Sequence, residues 1–131
     1  MSQEDVEHMR RGVEHFRRTG EALWAEMHSD CEMHDHDLPD ALVYRGHEGW
    51  REWRARFLEA WESDALEPEE YIDAGDGRVV MVARASARGQ GSGVEVERRD
   101  GIMWTIRDGK TVRIDYFSSP EEALRAAGLQ E

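Results

Sequence analysis

The sequence predicts an α+β fold, and three observations carry that expectation. Apolar residues recur at helical spacing near the N-terminus, Val- and Ala-rich segments separated by Gly-rich turns follow residue 70, and a capped helix closes the chain. One domain spanning residues 1–131 is expected, because domains commonly run to about 100–150 residues and neither a linker nor an internal repeat interrupts this one.

Taking the elements in order, Ser2 and Asp5 resemble a capping box, and Val6, Met9, Val13 and Phe16 then form one apolar stripe. Gly20 ends that helix, and Leu23, Trp24 and Met27 predict a second, short helix beside it. Cys31 and Met33 alternate with Glu32 and His34, which predicts a strand whose apolar phase runs on to Asp35 and Asp37. After the loop Leu38-Pro39-Asp40, the segment Tyr44-Arg45-Gly46-His47-Glu48-Gly49 leads into a helix with Trp50, Trp53, Phe57 and Trp61 on one face.

Tyr71 and Ile72 end a strand ahead of the turn Gly75-Asp76-Gly77, and Arg78 to Arg88 reads as a central strand. Past Gly89, Gly91 and Gly93, Val94 to Arg107 reads as a long strand bulged near Asp100-Gly101. Asp108-Gly109 is a two-residue hairpin signal leading to a strand from Lys110 to Phe117. Ser119, Pro120 and Glu122 begin a last helix that Gly128 closes. These elements amount to helices leaning on a curved sheet.

Composition narrows the partners. Acidic residues outnumber basic ones 29 to 17, and the net charge of -12 repels nucleic acid and anionic bilayers alike. No apolar run approaches the ~18 residues of a spanning helix, and the Met1 end shows no signal-peptide pattern, so a cytoplasmic location is expected. A lone Cys31 flanked by Asp30 and Glu32 reads as an inert buried thiol. Neither a dinucleotide-type Gly fingerprint nor a phosphate-cradling loop is present, and no cofactor is expected.

A two-residue turn at Asp108-Gly109 places Arg107 opposite Lys110, and an unbroken ladder then pairs Thr105 with Val112 and Met103 with Ile114, with Gly101 opposite Tyr116. The other face would carry Trp104 with Arg113 and Ile102 with Asp115, a mixture suited to a partner-binding surface.

The segments Tyr44-Arg45-Gly46-His47-Glu48-Gly49-Trp50, Arg107-Asp108-Gly109-Lys110 and Glu122-Ala123-Leu124 ahead of Gly128-Leu129 resemble SnoaL-like proteins of the nuclear transport factor two-like superfamily. The resemblance implies a cone of strongly curved, mainly antiparallel sheet closed by N-terminal helices around a ligand pocket, often dimeric through the outer sheet face. It further implies a cavity face of Met103, Thr105, Val112, Ile114 and Tyr116, and a homodimer face of Trp104, Arg113 and Asp115.

Enzymes of the superfamily include polyketide cyclases, ketosteroid isomerase, limonene epoxide hydrolase and scytalone dehydratase, whose shared chemistry is acid or base catalysis in an apolar cavity. The likeness to the isomerase puts its general base at Asp35, its companion acid near Met103 and its tyrosine near Val13. The cyclase His and Asp fall on Ile114 and Ser119.

His34-Asp35-His36-Asp37 is the densest titratable cluster in the chain. Asp35, with His34 or His36 as a proton-transfer companion, is the candidate catalytic group, since a base needs only reach and a suitable pKa. His34 and His36 point together on a strand, away from Asp35, and His28 and His47 supply no third ligand of known position, so no metal is assigned. Tyr44, Trp50 and Trp61 join the cavity-face residues as candidate ligand contacts. The expected function is binding of a small hydrophobic molecule, with isomerisation, cyclisation or hydration as the chemistry. The alternative is a noncatalytic carrier or dimeric interaction module of the same fold.

Overall fold

The computed structural model describes residues 2–38 and 42–129, apart from the side chains of residues 2, 63 and 64. The expected Ser2 cap and the Pro39-Asp40 loop fall outside the described residues. Helix α1 (Ser2–Thr19) is followed by a single 3-10 turn (Trp24–Glu26), β1 (Met27–Asp35), β2 (Val43–Arg45), α2 (Gly46–Ala60), β3 (Trp61–Gly75), β4 (Arg78–Gly89), β5 (Glu95–Arg107), β6 (Lys110–Phe117) and α3 (Pro120–Ala126). The described residues form one six-stranded sheet, ordered β2-β1-β6-β5-β4-β3, in which β1 and β6 run parallel and the other neighbouring pairs antiparallel.

Two faces of the sheet are packed differently. Helices α1 and α2 cover the concave side through Met9, Val13, Trp50 and their neighbours, while α3 covers a smaller patch of the other side through Ala123 and Ala127 against Val80, Met103 and Phe117. Helix α3 starts as the sequence dictates, with Pro120 in its first turn and the Ser119 side chain accepting from Glu122 N at 3.2 Å. Gly101 lets α3 sit this close. A Cβ there would lie 2.6 Å from the Ala123 Cβ and 3.0 Å from the Ser119 carbonyl.

The expected second helix is reduced to the 3-10 turn, because Met27 already pairs with Thr111 and extends the backbone into β1. Strand β3 begins directly at Trp61, so that ring leaves the α2 stripe yet still stacks on Phe57, centroids 6.3 Å apart. Strand β5 carries no bulge at Asp100-Gly101, for its pairing with β4 runs unbroken from Arg78↔Thr105 to Arg88↔Glu95.

The irregularity sits on β6 instead. Asp108 (φ 53°) and Gly109 (φ 74°) form the expected two-residue turn, and Arg107 faces Lys110. Ile106 then pairs with Thr111 but Thr105 with Arg113, which leaves Val112 as an extra residue. From that point every pair is offset by one: Trp104 opposes Ile114, Met103 opposes Asp115 and Ile102 opposes Tyr116. A one-residue slip exchanges the two faces of a strand. Trp104 and Ile102 therefore turn inward with Ile114 and Tyr116, and the expectation that Trp104 shares an outer face with Arg113 and Asp115 is corrected.

Candidate functional site

The concave side of the sheet and the helices α1 and α2 enclose a cavity of about 450 Å³, mostly apolar in its walls. Trp50 and Trp61 line it, as do Ile114 and Tyr116. Met103 is buried beneath α3, and neither Thr105 nor Val112 reaches the cavity, all three consequences of the extra residue on β6. Tyr44 is buried between β2 and α2, where its hydroxyl accepts from Arg56 Nη1 at 2.9 Å, and it is not part of the cavity wall.

Polar groups gather at two ends of this space. At one end, β1 and β6 bring Asp35 alongside Tyr116, and the alternation of β5 adds Arg98 and Asp100 to the same inward face as Ile102. Asp35 Oδ2 accepts from the Trp53 indole at 2.7 Å and Oδ1 from the Asp37 backbone at 3.0 Å. Burial pushes its carboxyl above the ordinary range, and the two hydrogen bonds pull partly back. Trp53 meets the Tyr116 ring edge to face, with centroids 6.3 Å apart.

Asp100 is 1% exposed and accepts the Tyr116 hydroxyl proton on Oδ2. Its Oδ1 receives no directed hydrogen bond among the described residues, although Arg98 Nε lies 2.8 Å away as an ion pair. Arg98 also donates to the Tyr116 hydroxyl at 2.8 Å and to Asp37 at 3.2 Å. Burial raises both the Asp100 carboxyl and the Tyr116 phenol above their ordinary values, and for Asp100 the Tyr116 and Arg98 contacts oppose that rise. The result is a chain of hydrogen bonds, Asp37–Arg98–Tyr116–Asp100, beside the Asp35 carboxylate.

The opposite end of β6 holds the second polar group. His8 of α1, 4% exposed, places Nε2 2.7 Å from Thr111 Oγ1 and Nδ1 3.3 Å from Glu26, and all three residues border the cavity. Burial lowers the imidazole pKa against the pull of Glu26. Between the two ends the wall consists of side chains such as Val13, Trp50, Met81 and Ile114.

His34 and His36 do not join Asp35. Strand alternation turns both outward, where His34 meets Glu32 at 2.8 Å and His36 stacks on Phe117 and reaches Asp115 at 2.8 Å. Arg113 holds the same Asp115 through two bonds of 2.8 and 2.9 Å. Arg84 is likewise outward, 3.4 Å from Glu69. Cys31 is fully buried, its thiol pushed up to about 12 by desolvation and then by Glu32. Among the described residues, no three His, Cys, Asp or Glu side chains group as a metal site, and no helix is long and apolar enough to cross a membrane.

Asp100, Arg98 and His8 are the site residues that sequence reasoning missed. The signal for the first two was the period-two series Arg98, Asp100, Ile102, Trp104, legible only once Trp104 is known to face inward.

Residues 6–114 match the sequence family described as the SnoaL-like domain. The chain belongs to that family. No curated protein matches this SnoaL-like chain. Among solved structures it is similar to TerC co-crystallised with polyporic acid, at 24% identity and a TM-score of 0.75 over 95% of this chain and 98% of that one. It is also similar to an NTF2-like protein of unknown function from Burkholderia pseudomallei, at 18% identity and a TM-score of 0.76, covering 93% and 95% of the two chains. A third is a candidate SnoaL-like polyketide cyclase from Jannaschia sp., at 21% identity and a TM-score of 0.72, covering 98% and 94%. At these identities the likeness is one of fold.

Proposed function

We propose that this SnoaL-like domain binds a small hydrophobic molecule in its cavity and acts on it by cofactor-independent proton transfer, with Asp35 as the base. The observation that carries the reading is a carboxylate whose pKa burial raises, set in the wall of an open aromatic cavity at the end that also holds the Arg98 guanidinium. A base of raised pKa removes a proton from carbon next to a carbonyl more readily than an ordinary aspartate. Negative charge then develops on the carbonyl oxygen, and the Arg98 guanidinium at this end supplies the positive charge that stabilises it, the single Tyr116 proton being given to Asp100. Return of the proton from Asp35 to another carbon completes an isomerisation, whereas attack of the same carbanion on a second carbonyl, with the proton passing from Asp35 to the new alkoxide oxygen, completes an aldol cyclisation.

A second reading, a noncatalytic ligand carrier, draws on the fact that both Asp35 oxygens already accept hydrogen bonds. Alpha-tetralone in deuterated buffer separates the two. Catalysis predicts protein-accelerated exchange of the protons next to the carbonyl, followed by NMR, and its loss in Asp35→Asn with the circular dichroism spectrum unchanged. Binding without accelerated exchange selects the carrier, and absence of binding removes this class of ligand from both readings.

A further inference from the structure

The His8–Thr111 pair stands apart from the acid cluster and takes no part in the proton transfer proposed above. We infer that it is the second anchoring point of the ligand, and that the molecule taken up is elongated and apolar with a hydroxyl or comparable hydrogen-bond donor at the end remote from Asp35. The inference rests on the reading of the cavity as a ligand site.

Geometry fixes what this end recognises. Glu26 lies beside Nδ1 of His8, at 3.3 Å, and is itself held by Arg11 through contacts of 3.1 and 3.3 Å. A carboxylate there keeps the proton on Nδ1 and leaves Nε2 as an acceptor. The Thr111 hydroxyl therefore donates to Nε2 across 2.7 Å, which leaves the lone pairs of Oγ1 to accept from a third group. A ligand hydroxyl satisfies that position, whereas an ether or a bare ring edge does not.

Spacing fixes the length. Thr111 pairs with Met27 at the start of β1, and Tyr116 pairs with Asp35 at its end, so the two polar groups stand at opposite ends of the same strands. Val112 is the extra residue of the bulge, so the partner strand spans the interval in the four steps from Ile106 to Ile102, and at roughly 3.3 Å each these put the two groups about 13 Å apart. The wall between them is largely apolar and aromatic, with Trp104 edge-on to the His8 ring at a centroid distance of 6.0 Å. About three rings in line, polar at both tips, fit that profile. Lys110 closes this end by donating to the Ala25 carbonyl at 2.8 Å, which ties the 3-10 turn to β6.

The probes are 4,4''-dihydroxy-p-terphenyl and its dimethyl ether, titrated against intrinsic Trp fluorescence. The wild type should bind the diol more tightly than the ether. Thr111→Val should weaken the diol by about tenfold, the order expected for one lost hydrogen bond in a desolvated site, and leave the ether unchanged. Thr111→Ser should retain the preference, which guards against a folding defect in the Val variant. Equal affinity of the wild type for diol and ether, or an equal loss of both in Thr111→Val, would overturn the second anchoring point while leaving the cavity reading intact. Failure of the wild type to bind either probe would overturn the cavity reading and this inference with it.

Discussion

The Trp53 indole donates to Asp35 Oδ2 at 2.7 Å, so the stability of the Asp35 anion depends on a residue that sits on a different element, α2. A donor to the ionised form lowers a carboxyl pKa, and here it opposes the rise that burial imposes. Trp53→Phe keeps an aromatic ring and removes the donor. The Asp35 pKa should then move further up, measured by NMR titration of the carboxyl carbon, and the acid limb of any Asp35-dependent rate should follow it. Unfolding stability near neutrality should fall by about 2 kcal/mol, the scale of a hydrogen bond to a charged group.

Asp35→Asn should remove a pH dependence. Because burial raises the folded carboxyl above its ordinary 3.8, the folded state keeps the proton over a range where the unfolded chain has released it. The stability tied to this group is thus fully present below 3.8 and is lost as pH climbs through the raised folded value. The Asn variant lacks that loss. Urea unfolding followed upward from about pH 3.5 should show the variant gaining on the wild type as pH rises above 3.8 and through the raised folded value. A gap that stays constant would mean that Asp35 titrates alike in both states.

Much of this fold was legible because its signals are local. The stripe Met9-Val13-Phe16, the Asp108-Gly109 turn and the Ser119-Pro120 helix start each depend on neighbours within a few residues, and each appears where expected. The phase of Met33 and Asp35 against His34 and His36 was readable for the same reason. The extra residue at Val112 was not, since a β-bulge leaves both flanking segments with good strand composition. One unread residue then misassigned Met103, Thr105, Val112 and Trp104 together. It also hid Asp100, which belongs to the inward series only when Trp104 does. His8 was obscured differently, because its partners Thr111 and Glu26 lie on other elements of the chain.

Two glycines should respond differently to the same change. At Gly101 a Cβ meets the backbone of the α3 start, with Pro120 Cα and Ser119 O both at 3.0 Å, and these atoms cannot yield without moving the helix. Gly101→Ala should lose about 1–3 kcal/mol in denaturant unfolding. At Gly12 the obstacle is the tip of the Trp104 ring, 2.6 Å away, which borders open cavity. Gly12→Ala gains helix propensity of about 1 kcal/mol and should push that ring inward. Its stability should change little while Trp fluorescence and terphenyl binding both shift.

Trp104→Ala tests the corrected register against association. On an outer face shared with Arg113 and Asp115, the indole would be an interface anchor, and its removal would shift subunit count. Facing inward opposite Ile114, it contributes to the cavity wall alone. The variant should lose about 3 kcal/mol, near the low end for a large-to-small core change because the ring already borders open space. Its native mass spectrum should show the same subunit count as the wild type. If the chain does pair through the outer face, Arg113→Ala is the change that should weaken it, since Arg113 is exposed there beside Asp115. That substitution also strips a buried carboxylate of two hydrogen bonds, so Arg113→Lys, which keeps the charge, separates an interface effect from a fold effect. Loss of dimer in Trp104→Ala at full retained helicity would return the indole to the outer face and with it the unbulged hairpin.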